Sequence, residues 1–318
     1  MRIVVIGAGG IGGFIASALA RSGAEVAVVA RGAHGAAIAR SGLRVRGDLG
    51  TYTMPLHVVS SLDELDAFDV ALLCVKAHQL PSLHDALQRL SLRGACVVTL
   101  HNGVPFWFSR RPPLESVDRG GLLDALFDDR RTIGGVVHVS GHIEAPGSIV
   151  QSGGTRYVLA PIAEGGSAEA LCDRLIAAMQ SAGLAPERSA DLRAVLWAKL
   201  ANNVGLNAVS ALTRLSIAPM LACAETRDLV AQAIGETLAV GRALGVVGEV
   251  DIEQRMQYAA RLSDVRTSML QDVLAERTME IDPIVGATVE LGERVSVPTP
   301  TASTMLRLLR GLESSFTR

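Results

Sequence analysis

Cysteine is scarce in this chain and never closely spaced. Cys74, Cys96, Cys172 and Cys223 lie far apart with no C-x-x-C pair, and Cys74 and Cys96 fall inside apolar runs, like small core residues. Such usage fits a reduced, cytoplasmic compartment. An excess of either charge is also missing: 30 Lys and Arg face 32 Asp and Glu. No bulk field therefore favours nucleic acid or an anionic membrane, and any anion site must be local. No segment approaches about 18 unbroken apolar residues, and the N-terminal apolar run is cut short by glycine. Neither a membrane span nor a signal peptide is expected. The histidines are dispersed, with no ligand pair on a common helix, so neither metal catalysis nor a Ser-His-Asp triad is expected. Internal repeats and low-complexity tracts are absent too.

What is there is enough apolar material for two cores: 49% of 318 residues are hydrophobic. The chain opens Met-Arg-Ile-Val-Val-Ile and then breaks into glycines. Ile3 to Ile6 form an uninterrupted β-branched run, the pattern of a parallel strand buried on both faces. Gly7, Gly9 and Gly12 follow at G-x-G-x-x-G spacing, and Ala8, Gly10 and Ile11 complete the turn into an Ala-rich helix. In a dinucleotide site the first glycine permits the turn, the second lets a pyrophosphate approach the backbone, and the third packs helix on strand. The phosphates would meet the positive helix end. A turn that only packs a helix, or a flavin site, are the other readings of this spacing.

A second apolar run, Glu25 to Ala30, ends where an Asp or Glu would hold the ribose hydroxyls of NAD or FAD. No acid stands there. The chain reads Ala30-Arg31-Gly32-Ala33-His34, which puts a guanidinium where the adenosine phosphate of NADP needs a planar partner. NADP(H) is the expected cofactor; the alternative for Arg31 is a solvated residue at a strand end.

Asp69 to Val75 reads as a buried strand leading to Lys76, and Ala95 to Leu100 as another leading to His101-Asn102-Gly103. Polar residues at two carboxyl strand ends suggest one crevice. Prolines and glycines after Gly103 exclude a continuous helix or central strand, leaving a long loop. Strand-like pieces at 132–140, 149–151 and 156–160 should run antiparallel at one sheet edge. From Ser167 onward the apolar period is near 3.6 and the remainder looks all-helical. These patterns predict an α/β architecture: a Rossmann-type dinucleotide-binding domain over 1–186 and an all-helical domain over 187–318.

Within a predicted helix from Asp191 to Leu212, Lys199, Asn203 and Asn207 recur every four residues, offset by only about 40° around the axis. They form one polar stripe among apolar neighbours such as Trp197, Leu200 and Val204. A solvated face is the competing reading. Farther on, Ser268 and Glu280 would stand about 18 Å apart in rise on one straight helix, so they can serve one small ligand only if that helix breaks.

Taken in order, these pieces resemble the ketopantoate reductases (2-dehydropantoate 2-reductases) over nearly the whole chain. The resemblance rests on Gly7-Ala-Gly-Gly-Ile-Gly12, Val75-Lys76-Ala77, Asn102-Gly103, Trp197 to Leu212 and Ser268-Met-Leu-Gln-Asp272. Glu280-Ile-Asp282 and the late Val297-Pro-Thr-Pro300 complete it. It implies NADPH-dependent reduction of a 2-oxo acid to a 2-hydroxy acid. In that scheme Lys199 is the general acid, Asn203, Asn207 and Ser268 hold substrate, and Glu280 supports the lysine or a substrate hydroxyl. Lys76 and Asn102 would line the cofactor side, with Asn102 also reaching substrate. Two departures bear on the substrate: Met279 replaces a common threonine, and Asn102-Gly103 is followed by a long insertion. The alternatives are an NADP-dependent β-hydroxyacid-type dehydrogenase and a non-catalytic NADPH sensor. A homodimer is left open by the chain.

Overall fold

Ile3 to Ile6 are almost wholly removed from water, and they form the strand on which the N-terminal half is laid out. The computed structural model describes residues 1–65, 67–248, 250–260 and 265–316. The chain divides into two compact units, Met1–His101 with Gly121–Leu192 and Asn102–Gly120 with Arg193–Arg318. Segment 102–120 thus groups with the helical residues rather than with the strand that precedes it.

In the first unit the described strands are β1 (Arg2–Ile6), β2 (Glu25–Val29), β3 (Leu43–Gly47), β4 (Gly50–Met54), β5 (His57–Val59), β6 (Val70–Leu73), β7 (Cys96–Thr99), β8 (Thr132–Ala145), β9 (Ser148–Pro161) and β10 (Ala185–Arg188). They join one sheet in the order β4-β3-β9-β8-β7-β6-β1-β2-β5, with β10 on β9. From β8 to β5 the pairings are all parallel. Strand β1 lies between its sequence neighbour β2 and the later β6, so the winding reverses at β1 and a crevice opens at its carboxyl end. Helix α1 (Gly10–Arg21) fills the β1–β2 crossover and buries Phe14, Ile15 and Leu19 completely. Each of those side chains contributes roughly 1.5–3 kcal/mol of hydrophobic stabilisation. Helices α2 (Gly32–Ser41), α3 (His84–Leu92) and α4 (Ser167–Ser181) complete this unit.

Two expectations about this sheet need correction. The hairpin of β8 and β9 is antiparallel, yet it lies inside the sheet, because β3 adds parallel to Ser148–Val150 and carries β4 beyond it. Leu43 and Val45 are fully buried there. The segment after Ser167 is not purely helical either: Ala185–Arg188 adds as β10 to the far half of β9. Four residues are too few for a period to show, and Pro186 is tolerated on an edge strand.

The second unit is helical: α5 (Leu192–Asn202), α6 (Ala208–Thr213), α7 (Ile217–Ala222), α8 (Ala224–Ala243), α9 (Ile252–Ala260), α10 (Ser268–Leu274), α11 (Ala287–Arg294) and α12 (Pro300–Ser314). Between α5 and α6, Asn203–Asn207 form a π turn, and Asp282–Gly286 form another before α11. The predicted helix over 191–212 is therefore interrupted by a wider turn at its polar residues. Gly205 lies in this turn against α8, where a Cβ would come 2.7 Å from Ile234. Trp197 anchors α5, fully buried, with its indole N–H donating to the Thr237 carbonyl at 2.9 Å.

Candidate functional site

The glycine turn is built almost entirely from backbone. Gly7 sits at φ +99°, where a side chain is strained, and its N–H donates to the Val29 carbonyl at 3.1 Å. A Cβ on Gly12 would fall 1.9 Å from the Gly7 oxygen and 2.7 Å from Cys74 Cβ, so only glycine lets α1 close on the sheet here. Gly10 is held as tightly, against the Gly141 backbone of β8. Gly9 differs from all three. It precedes the first turn of α1, and a Cβ there would meet nothing within 4 Å. No side chain caps α1 and no acid stands in its first turn, so its amide groups face space with a positive helix end behind them. A pyrophosphate fits that cradle. Ala8 is buried and Ile11 partly so.

Arg31 is exposed and extended at the start of α2, two residues past β2. Lys76 begins a short 3₁₀ turn three residues past β6, and its amide donates to Gln79 Oε1 at 3.1 Å. Sequence reasoning missed His34. Its Nε2 lies 2.9 Å from the Ala8 carbonyl oxygen, and its Nδ1 lies 3.1 Å from the Gly147 amide, which donates to it. The ring is thereby fixed with Nε2–H as donor and Nδ1 as acceptor, tying the glycine turn to the tip of the β8–β9 hairpin. Its place three residues after Arg31 was the only available signal.

In the helical unit five of the predicted polar residues form two hydrogen-bonded groups. Lys199 Nζ donates to Asn102 Oδ1 at 2.9 Å, and Asn102 Nδ2 donates to Glu280 Oε2 at 3.2 Å. Asn207 Nδ2 donates to Ser268 Oγ at 3.5 Å, and Asn203 opens the π turn between Lys199 and Asn207. Ser268 and Glu280 share this unit because the helix breaks between them: α10 ends at Leu274 and Glu276 takes φ +48°. Asn102, expected on the cofactor side with Lys76 and also at the substrate, bonds to Lys199 and Glu280 of the helical unit.

The Lys199 side chain keeps some accessible surface, yet desolvation of its ammonium pushes the pKa down to about 8, and the Glu280 carboxylate pulls it back only in part. Glu280 and Asn207 are themselves buried. An ammonium with that pKa, oriented by an amide and a carboxylate, can give up a proton near neutral pH. Among the described residues no group of three His, Cys, Asp or Glu could hold a metal ion, and no helix is long and apolar enough to cross a membrane.

Comparisons with known proteins agree with this geometry. Residues 3–164 match the family model Ketopantoate reductase PanE/ApbA, and residues 191–313 match Ketopantoate reductase PanE/ApbA C terminal. A 2-dehydropantoate 2-reductase of Mesorhizobium japonicum is 38% identical over 321 aligned positions, covering 98% of each chain. A proposed ketopantoate reductase structure from Ralstonia solanacearum MolK2 superposes with a TM-score of 0.91 at 33% identity, covering 99% of this chain and 98% of that one. A PanE/ApbA family ketopantoate reductase from Ralstonia eutropha JMP134 gives 0.86 at 27% identity over the whole of both chains. With a glycine turn of dinucleotide-binding form, a helical unit carrying the lysine cluster, and both family models matched in order, this chain belongs to the ketopantoate reductase family of oxidoreductases.

Proposed function

We propose that the chain reduces a 2-oxo acid to a 2-hydroxy acid with NADPH, with 2-dehydropantoate the first candidate substrate and Lys199 the proton donor. The observation that carries this reading is the desolvated Lys199 ammonium, bonded to Asn102 and through it to Glu280. The substrate is taken from the names of relatives such as the Mesorhizobium enzyme. When bound, the nicotinamide supplies the hydride. As negative charge grows on the substrate carbonyl oxygen, Lys199 Nζ stabilises it and donates the proton. Asn203, Asn207 and Ser268 offer amide and hydroxyl groups for the substrate's polar atoms. Glu280, acting through Asn102, keeps the ammonium oriented and offsets part of its desolvation. In the first unit the uncapped amides of α1 would hold the pyrophosphate and the Arg31 guanidinium the adenosine phosphate, with Lys76 on the same cofactor.

Steady-state oxidation of NADPH and NADH with 2-dehydropantoate and other 2-oxo acids, beside reduction of NADP+ and NAD+ with 3-hydroxy acids, tests the reading. Reduction of a 2-oxo acid with preference for NADPH is expected. Turnover confined to 3-hydroxy acids would transfer the chain to the β-hydroxyacid type, and cofactor binding without turnover would make it a sensor.

A further inference from the structure

Segment 102–120, a strap that begins at Asn102, is fastened to the helices of its unit at several points between Gly103 and Ser116. At its start Gly103, at φ +81°, leaves no room for a Cβ, which would lie 2.4 Å from the Pro283 oxygen. The next amide, Val104 N–H, donates to that same oxygen at 2.7 Å. Pro283 belongs to the π turn three residues after Glu280. Farther on, Phe108 is buried and stacks on Trp197 with ring centroids 5.4 Å apart. The Arg193 guanidinium lies 4.1 Å from the centre of the same ring, and it donates to the Phe108 carbonyl at 2.8 Å. Arg193 and Trp197 are one turn apart on α5, just before Lys199.

The last stretch grips α11. Glu290 accepts from the amides of Glu115 and Ser116 at 3.0 and 2.9 Å and from the Ser116 hydroxyl at 2.7 Å. Arg294 pairs with Glu290 at 2.6 Å and donates to the carbonyls of Pro112 and Pro113. Burial alone would raise the Glu290 carboxyl, but the bonds from Ser116 and Glu115 and the Arg294 charge outweigh it and hold the group below its ordinary range. The strap therefore joins the helix that carries Lys199 to the one that follows Glu280, with Asn102 at its root between the two side chains.

We infer that this strap is a positioning element, in which Phe108 and Glu290 act as positioning residues that hold Asn102 between Lys199 and Glu280. This rests on the proposed reductase reading. A three-member hydrogen-bond line of 2.9 and 3.2 Å tolerates little displacement, and the staple at Val104 and the stack at Trp197 fix its two ends. Desolvation lowers the Lys199 pKa more than the Glu280 carboxylate raises it, so slackening the strap, which admits water to the ammonium, moves the pKa up even as it weakens the tie to that carboxylate.

The test compares Glu290→Ala, Glu290→Gln and Phe108→Leu with the parent chain. Two readouts are taken: kcat with a 2-oxo acid, and the pH midpoint for chemical labelling of the Lys199 amine without substrate. In Glu290→Ala and Phe108→Leu the midpoint should move up from about 8 toward the ordinary lysine range, and kcat should fall about 10- to 100-fold. NADPH affinity should be unchanged. Glu290→Gln keeps an acceptor for Ser116 and should recover most of kcat. An unmoved midpoint in both disrupting variants overturns the inference, as does a Gln variant as impaired as the Ala variant. Because the labelling midpoint needs no turnover, a failure of the reductase reading would show separately, as absent 2-oxo acid reduction by the parent chain.

Discussion

The glycine turn and the lysine cluster are the two candidate sites for charged ligands, and they are made of opposite materials. Around α1 the binding surface is backbone: Gly7, Gly9, Gly10 and Gly12 matter because they have no side chain, and three of the four are needed simply for the fold to close. In the helical unit the surface is side chain: Lys199, Asn102, Glu280, Asn207 and Ser268 act through their functional groups, held by two π turns and a strap. A backbone site shows in the sequence as glycine spacing. A side-chain site depends on how distant segments meet, and π turns are frequent where helices serve such sites.

Four experiments would break or sharpen this contrast. The largest effect is expected from Lys199→Ala, which should slow kcat by about 10²–10⁴ while leaving NADPH binding intact. In the parent chain the acid form is required, so kcat should fall as pH rises through about 8, and this limb should be missing from the variant's profile. Near-parental turnover would remove Lys199 from its role.

Next, Gly12→Ala and Gly9→Ala should separate folding from binding. The first drives a Cβ into the Gly7 carbonyl and should cost about 1–3 kcal/mol of stability or more, read as a lower denaturation midpoint. The second projects into open space and should leave stability within about 0.5 kcal/mol, yet weaken NADPH by crowding the phosphate cradle. Equal melting behaviour for the two would refute the distinction.

Arg31→Ala comes third. Loss of charge-assisted bonds to a phosphate is worth about 1.5–3 kcal/mol, so NADPH should weaken by one to two orders of magnitude and NADH hardly at all. Equal losses for both cofactors would reject the phosphate assignment. The smallest effect is expected at His34. His34→Ala removes both bonds that tie Ala8 to Gly147 and should weaken NADPH by about 1 kcal/mol with kcat unchanged. His34→Gln, which offers a donor and an acceptor, should recover it; two variants equally impaired would argue against those bonds as the cause.

Much of this was legible before any coordinates. The β-branched run into G-x-G-x-x-G, the missing acid before Arg31 and the four-residue spacing of Lys199, Asn203 and Asn207 are local patterns with local physical causes. The stripe was read on a uniform helix, however, and no periodicity reveals that Asn203–Asn207 widen into a π turn where Gly205 admits α8. The partners of Asn102 were hidden for a similar reason. Its neighbours in sequence belong to the sheet, while its hydrogen-bond partners lie 97 and 178 residues away. Strand β10 was obscured because a four-residue segment gains its stability from the β9 edge rather than from its own composition.

By itself the sequence determined the order of the two kinds of architecture, the backbone form of the glycine turn and the polar stripe on which the Lys199 ammonium stands. Each of these follows from side-chain shape or chemistry acting over a few residues. Only the tertiary structure decided which groups touch that ammonium and how far its pKa falls. Desolvation and hydrogen-bond geometry are sums over segments that meet in space, and neither quantity exists until the chain has closed around them.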